Sequence, residues 1–366
     1  MESNIEQIIL EEKDDKLIDI HSIRCTPAKV LRHSKLKGYA VYSEQLKSIL
    51  DKLDKMKNSP DVPLLITGAT GSGKELISEY MHYEVDQNKG EYVAFNCSNI
   101  NKELFESELF GYEKGAFTGA NTKGKEGYFQ QAKGGTLLLD EITEINQEIQ
   151  AKLLRVLETG EYYQLGGRKK HKINSRLIFA TNKNLERLVE KGEFREDLYY
   201  RLNIVKAEIP KLSERREEII PLVIFFINQL NQQFNKSIQY IENKVLKLFY
   251  FYTWPGNIRE LKNFITQIMI FANANSINFD HLQIKDKLDQ HYTKSFKPKQ
   301  DVDLLTEEEI IEQLLKNPIN IENFIMKVVK KALEKFRGNK ARTARFLGLK
   351  REQLYNRYRL DQQNKS

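Results

Sequence analysis

Residues 64–74 read Leu-Leu-Ile-Thr-Gly-Ala-Thr-Gly-Ser-Gly-Lys, and the run that follows sets Leu76, Ile77, Tyr80 and Met81 at helical spacing. An apolar strand, a G-x-x-x-x-G-K turn and a helix in this order constrain the fold more than anything else in the chain. Gly68, Gly71 and Gly73, with the small Ala69, Thr70 and Ser72, let backbone N–H groups wrap phosphate oxygens. The free N–H groups of the following helix add positive potential, and Lys74 reaches the β- and γ-phosphates. Further apolar runs at 92–96, 136–139, 177–181 and 204–209 join the one at 62–67, with helical stretches between most of them. That alternation predicts a parallel sheet covered by helices. Leu137-Leu138-Leu139-Asp140-Glu141 supplies an acidic strand end to match the loop. One carboxylate would hold Mg²⁺, and the next would orient or deprotonate the attacking water.

Composition removes several classes. Hydrophobic residues make up 40% and charged residues 30%, as in ordinary globular proteins. The longest apolar stretch, 219–227, is interrupted by Pro221 and falls far short of the roughly 20 residues a membrane helix needs. The acidic N-terminus lacks a signal-peptide pattern, and Cys25 and Cys97 form neither a disulfide framework nor a zinc spacing. A cytoplasmic protein without membrane attachment is expected. The net charge of +7 is concentrated at one end: Lys331 to Ser366 carries 11 Lys/Arg against 3 Asp/Glu. That end is expected to meet nucleic acid.

The chain divides by pattern. Residues 1–37 are polar and mixed, without a clear period, and too few for an independent domain. Residues 38–212 carry the alternating strands and helices, and 213–284 read as helices only, among them 217–231 and 257–272. Residues 285–304 are a polar linker with Pro298. Residues 305–366 are helical, opened by a capping box at Thr306-Glu-Glu-Glu309 and broken at Asn317-Pro318 and Gly338. One segment stands apart. Gly115-Ala116-Phe117-Thr118-Gly119-Ala120 lies between the phosphate loop and the acidic strand, with no charge and no metal ligand. It has no chemistry of its own and reads as a contact with a partner.

Together these motifs resemble the AAA+ domain of bacterial enhancer-binding proteins, the activators of sigma-54 RNA polymerase, over roughly 38–282 and again at the C-terminal end. The segment 106–120, Glu-Ser-Glu-Leu-Phe-Gly-Tyr-Glu-Lys-Gly-Ala-Phe-Thr-Gly-Ala, matches the family's most specific signature, with Tyr112 where histidine is usual. Glu75 occupies the place of the Ser/Thr that other phosphate loops use toward magnesium, and this family carries glutamate there. Ala69 departs from the usual glutamate. The resemblance implies an α/β AAA+ P-loop domain with a parallel sheet and an α-helical lid, plus a small all-α helix-turn-helix domain. It further implies that Asn96 holds Glu141 away from water until the right state, and that Thr181-Asn182 reads the γ-phosphate. Arg195 and Arg201, in Phe194-Arg-Glu-Asp-Leu-Tyr-Tyr-Arg201, are then arginine fingers, and Arg259, in Trp254-Pro-Gly-Asn-Ile-Arg259, is the lid's sensor. A finger acting on a neighbouring subunit is worth a factor of about 10³ to 10⁵ and implies a closed ring. The resemblance makes that ring a hexamer, formed from a dimer at rest. From the residues alone, surface pairs with Glu193, Glu196 and Asp197 are the favoured reading of Arg195 and Arg201, and Arg259 also suits a pair with Glu260 or another lid carboxylate.

Residues 340–357, Lys-Ala-Arg-Thr-Ala-Arg-Phe-Leu-Gly-Leu-Lys-Arg-Glu-Gln-Leu-Tyr-Asn-Arg, have helix-turn-helix spacing, with Ala344 at the helix crossing, Gly348 in the turn and Leu354 returning to the core. The stretch 336–360 resembles the family's Fis-type domain. Arg351, Gln353, Asn356 and Arg357, with Lys350, would face a major groove, and Lys340, Arg342 and Arg345 the phosphates. A helical hairpin for dimerisation is the alternative.

The expected function is sigma-54-dependent activation of transcription. The protein would bind enhancer DNA, use ATP and Mg²⁺ in a ring, and remodel the sigma-54 RNA polymerase holoenzyme through Gly115–Ala120. The alternatives are a DNA-binding regulator that responds to ATP independently of sigma-54, and a AAA+ motor acting on DNA. The 37 residues ahead of the ATPase are too few for a receiver domain, so control by a regulatory protein in trans, by expression level or by this short segment is expected. Removal of residues 1–36 is expected to leave ATP-dependent activation in place.

Overall fold

The computed structural model describes residues 9, 12–36, 39–87, 90–99, 102–116, 124–272 and 275–279, together with Val329, Ala332 and Thr343. The chain divides into two units, Met1–Ser295 and Phe296–Ser366.

Five parallel strands form the heart of the first unit: β1 (Leu64–Gly68), β2 (Tyr92–Asn96), β3 (Thr136–Asp140), β4 (Arg176–Thr181) and β5 (Val205–Ile209), in the order β5-β1-β4-β3-β2. The three inner strands are near-continuous apolar runs because both their faces are covered. Alternation along them separates two cores. Leu65, Leu137, Leu139 and Phe179 face one layer, and Leu64, Ile66, Leu138 and Ile178 face the other. Arg176, at the start of β4, is buried and ion-pairs with Asp86 at 2.8 Å, while its remaining N–H groups donate to the carbonyls of Met56, Ser59 and Val62. This pins the sheet at the end opposite the phosphate loop. Pairing sets Asn96 beside Asp140 and Thr181 beside Thr67, so the polar strand ends converge on one edge. In an open α/β sheet that carboxyl edge is where ligands bind.

Residues 213–279 depart from the helices-only expectation. Helices α1 (Ile219–Phe234), α2 (Asn243–Phe251) and α3 (Asn257–Phe271) pack around Trp254, Phe249 and Phe264. The strands Tyr240–Glu242 and Ser276–Ile277 lie beside them, and the strand Leu17–Asp19 from the N-terminal segment completes a three-stranded sheet. The N-terminal segment is therefore part of the lid and not an appendage. Ile9, Ile18, Ile20 and Ile23 are buried in the lid core. The first two N–H groups of α2 donate to the carbonyls of Lys16 and Asp14, at 2.8 and 2.9 Å. These are groups a helix start leaves without internal partners. Further on, the strand Lys29–Val30 pairs with Ala40–Val41 on the α/β half. Among the described residues no helix is long and apolar enough to cross a membrane.

Candidate functional site

The phosphate loop leaves β1 at Gly68 and enters the helix Lys74–Tyr80. Gly71 and Gly73 hold φ of 74° and 102°, a left-handed backbone that glycine adopts at little cost. Lys74 is buried, and its Nζ donates to the Gly68 carbonyl at 3.1 Å, folded across the mouth of its own loop. The Thr67 and Ser72 hydroxyls are buried with no hydrogen-bond partner. Buried hydroxyls without partners cost free energy, and their place in a glycine cradle fits a phosphate group. Glu75, next to the lysine, is exposed.

The acidic strand end stands beside the loop. Asp140 Oδ1 accepts from Glu141 N at 3.0 Å. Glu141 sits at φ 53°, a left-handed backbone that is uncommon for a non-glycine residue and recurs at functional sites. Its Oε2 accepts from Asn182 N at 3.3 Å, and Asn182 Nδ2 donates to Thr70 Oγ1 at 2.8 Å. The end of β4 thus bridges the carboxylate to the phosphate loop. Thr181 is buried, with its hydroxyl 3.2 Å from that of Thr143. A pair of adjacent carboxylates suits Mg²⁺, which takes one or two from protein and completes its shell with water and phosphate.

Asn96 is arranged differently from the expectation. Its Nδ2 donates to Asp140 Oδ2 at 3.4 Å, and Glu141 is held by Asn182 instead. The parallel register sets Asn96 directly across from Asp140, one residue short of Glu141.

The arginines divide. Arg195 caps the helix Glu196–Leu202 and forks onto Asp197 at 2.7 and 3.1 Å. The hydrogen bond from this guanidinium, ahead of other causes, holds the Asp197 carboxyl below its usual range. Arg201 meets no carboxylate of that helix and donates to the Leu157 carbonyl at 2.8 Å. Both are exposed. Arg259 is exposed on α3, and a Cβ on Gly71 would lie 3.0 Å from its Cβ. Glu260 accepts from Gly256 N at 2.8 Å.

Gly115 is exposed and Ala116 half-buried; Phe117, Thr118, Gly119 and Ala120 lie outside the described residues. The loop rises from a stem in which Gly111–Tyr112 pairs with Lys125–Glu126. A second hairpin, Glu161–Tyr163 with Lys170–Lys172, braces the stem, since Glu113 N donates to Leu165 O and Leu165 N to Gly111 O. Sequence reading missed this brace; Gly166-Gly167 was its available turn signal. Lys340, Arg342, Arg345, Lys350, Arg351, Gln353, Asn356 and Arg357 lie outside the described residues, as do the helix breaks at 317–318 and 338.

Comparison with known proteins adds a family. Residues 39–208 match the family described as Sigma-54 interaction domain, 213–301 the AAA+ ATPase lid domain, and 321–359 the bacterial regulatory protein, Fis family. The Nif-specific regulatory protein of Enterobacter agglomerans is 36% identical over 332 residues, covering 91% of this chain and 61% of its own. The DNA-binding transcriptional regulator NtrC of Rhizobium meliloti is 45% identical over 208 residues, 57% of this chain and 43% of its own. A crystal structure of NtrX from Brucella abortus in complex with ATP superposes with a TM-score of 0.61 at 29% identity, covering 88% of this chain and 70% of that one. The chain spans about half the length of the curated relatives it matches. With a P-loop sheet, a helical lid and a Fis-type helix-turn-helix domain in this order, the chain belongs to the family of sigma-54-dependent transcriptional activators.

Proposed function

We propose that this protein binds ATP with Mg²⁺ at the Gly68–Lys74 loop, hydrolyses it in a ring of identical subunits, and uses the cycle to remodel sigma-54 RNA polymerase at promoters whose enhancers it binds. The observation that carries this reading is the hydrogen-bonded bridge Glu141–Asn182–Thr70, which joins the base-bearing strand end to the phosphate loop. Glu141 is the general base for the attacking water, and Lys74 and the loop amides bind the phosphates. Asp140 would hold Mg²⁺, which would supply neutralisation of the phosphate charge. The Asp140–Asn96 contact keeps that carboxylate oriented. Arg195 and Arg201, exposed and hydrogen-bonded to Asp197 and the Leu157 carbonyl, act on a neighbour's nucleotide. Phe117 and Thr118 form the contact with sigma-54, and the basic residues of 340–357 hold the enhancer.

Promoter opening by sigma-54 polymerase, measured in vitro with hydrolysable and non-hydrolysable ATP, tests the whole reading. Opening is expected only with the hydrolysable nucleotide. Glu141→Gln is expected to lower kcat by about 10² or more, the usual worth of a general base, while ATP still binds. Thr118→Ala is expected to keep hydrolysis and lose opening. Retained opening with Thr118→Ala overturns the role of the loop. A wild-type protein that binds ATP without hydrolysing it favours the ATP-responsive regulator instead.

A further inference from the structure

The lid holds the phosphate loop by its back. Three successive carbonyls of the loop each accept a hydrogen bond from the lid or from the connection leading into it. Asn257 Nδ2 donates to Thr70 O at 3.0 Å, Ile258 N to Gly71 O at 3.0 Å, and Arg215 Nη2 to Ser72 O. A phosphate loop turns its N–H groups inward to the ligand, so these outward carbonyls are the handle by which another element can grip it. The approach is close: a Cβ on Gly71 would meet Gly256 O at 2.5 Å.

Asn257 is the centre of this grip. It is 1% exposed and has φ of 53°. Its Oδ1 accepts from Leu212 N at 2.8 Å, in the connection between the sheet and the lid, while its Nδ2 holds Thr70 O. A side-chain amide carries an acceptor and a donor on separate atoms, and asparagine tolerates the left-handed backbone better than most residues. Arg215 reinforces it. This guanidinium is buried beside Glu218, whose Oε1 accepts from Tyr42 N and Ser43 N at 2.8 and 2.7 Å. Arg215 and Glu218 are both buried, so the pair stands in a dry junction where hydrogen-bond geometry matters most, and that burial lowers the Arg215 pKa and raises that of Glu218.

We propose that Asn257, supported by Arg215, is a positioning residue that locks the lid to the carbonyls of Thr70–Ser72, so that a change in the loop during ATP turnover moves the lid as one body. The proposal rests on the ATPase reading above. It is distinct from any contact Arg259 makes with nucleotide, because Asn257 acts on the loop's backbone.

The test uses the full chain and its single tryptophan, Trp254, buried in the lid three residues from Asn257. Wild type is expected to hydrolyse ATP and to change Trp254 emission when ATP is added. Asn257→Asp keeps the acceptor for Leu212 N and loses the donor to Thr70 O. Asn257→Gly loses both, keeps the backbone conformation and buries no charge. Each is expected to lower kcat by about tenfold or more with KM changed less than about threefold, and to abolish the Trp254 response. Ile18→Ala, which weakens the lid core away from the grip, is expected to lower the melting temperature and keep the response. A folded Asn257 variant with wild-type kcat and response overturns the proposal. So does a rise in KM alone, unfolding of both variants, or a wild type that turns over ATP with no Trp254 response. A wild type without hydrolysis overturns the ATPase reading itself.

Discussion

The α/β half and the lid meet the same phosphate loop in opposite ways. In the α/β half, side chains reach it: Asn182, just past β4, donates to Thr70 Oγ1, and Lys74, at the start of the helix that follows the loop, lies across Gly68. From the lid, donors reach its carbonyls, and only Asn257 and Arg215 do so with side chains. Side chains that the sheet brings to the loop stand at strand ends, and the period of the strands marks those places. Donors to a carbonyl can come from any N–H, so they leave no such mark. The first half presents side chains at the loop, and the second grips its backbone.

The comparison breaks first if the chemistry is complete within one chain. Arg195→Ala and Arg201→Ala are each expected to lower hydrolysis by about 10³, the low end for an arginine finger. Neither residue is tied to its own loop, so the loss is expected to be repaired in trans. Mixing Arg201→Ala with Lys74→Ala, each inactive alone, is expected to restore hydrolysis in mixed assemblies, because one subunit keeps the loop and the other the finger. A loss smaller than about tenfold removes that arginine from the chemistry, since ordinary exposed pairs such as Arg195–Asp197 contribute little.

The next effect bears on the lid's construction. Ile18 and Ile20 are 6% and 1% exposed and belong to the lid core. Ile18→Ala and Ile20→Ala are each expected to cost about 2–5 kcal/mol in thermal or denaturant unfolding, the range for emptying a buried aliphatic site. Deleting residues 1–36 removes both, together with the carbonyls that cap α2, and is expected to cost more than either. An unchanged melting temperature after the deletion would remove this segment from the lid's stability, and loss of ATP-dependent activation would overturn the expectation that activity survives without it.

The packing of this segment in the lid was not legible in the sequence, for a physical reason. A strand of three residues, Leu17–Asp19, offers no window in which alternation can be seen, and its partner Tyr240–Glu242 lies on the far side of the chain. The same distance hid the grip of Asn257 on Thr70. The phosphate loop, by contrast, is written in consecutive residues, and the acidic end of β3 follows an unbroken apolar run, so both were legible. Asn96 lies between these cases. Its place at a strand end was readable, but the choice between Asp140 and Glu141 depends on register, which a sequence of parallel strands does not display.

The smallest expected effect separates the two ends of the N-terminal segment. At the lid end it buries isoleucines. At the sheet end Lys29 spans Asp51 and Asp54 at 2.9 and 2.7 Å, with both carboxylates about half exposed. Tyr80 donates to Asp54, and Glu84 accepts from the Arg32 and His33 amides, so this end is held by polar contacts. Charges that face water are screened within about 3 Å at 1 M salt and act over about 30 Å at 0.01 M. Lys29→Met is therefore expected to lower the melting temperature slightly at low salt and not at high salt. Ile18→Ala should lower it by a larger amount that salt does not remove. If Lys29→Met matches Ile18→Ala and ignores salt, the half-sheltered ammonium, through its ion pairs and its contact with the Tyr80 ring, carries the attachment. The segment would then be anchored on the sheet as firmly as on the lid, and would brace the two halves against each other while the lid turns.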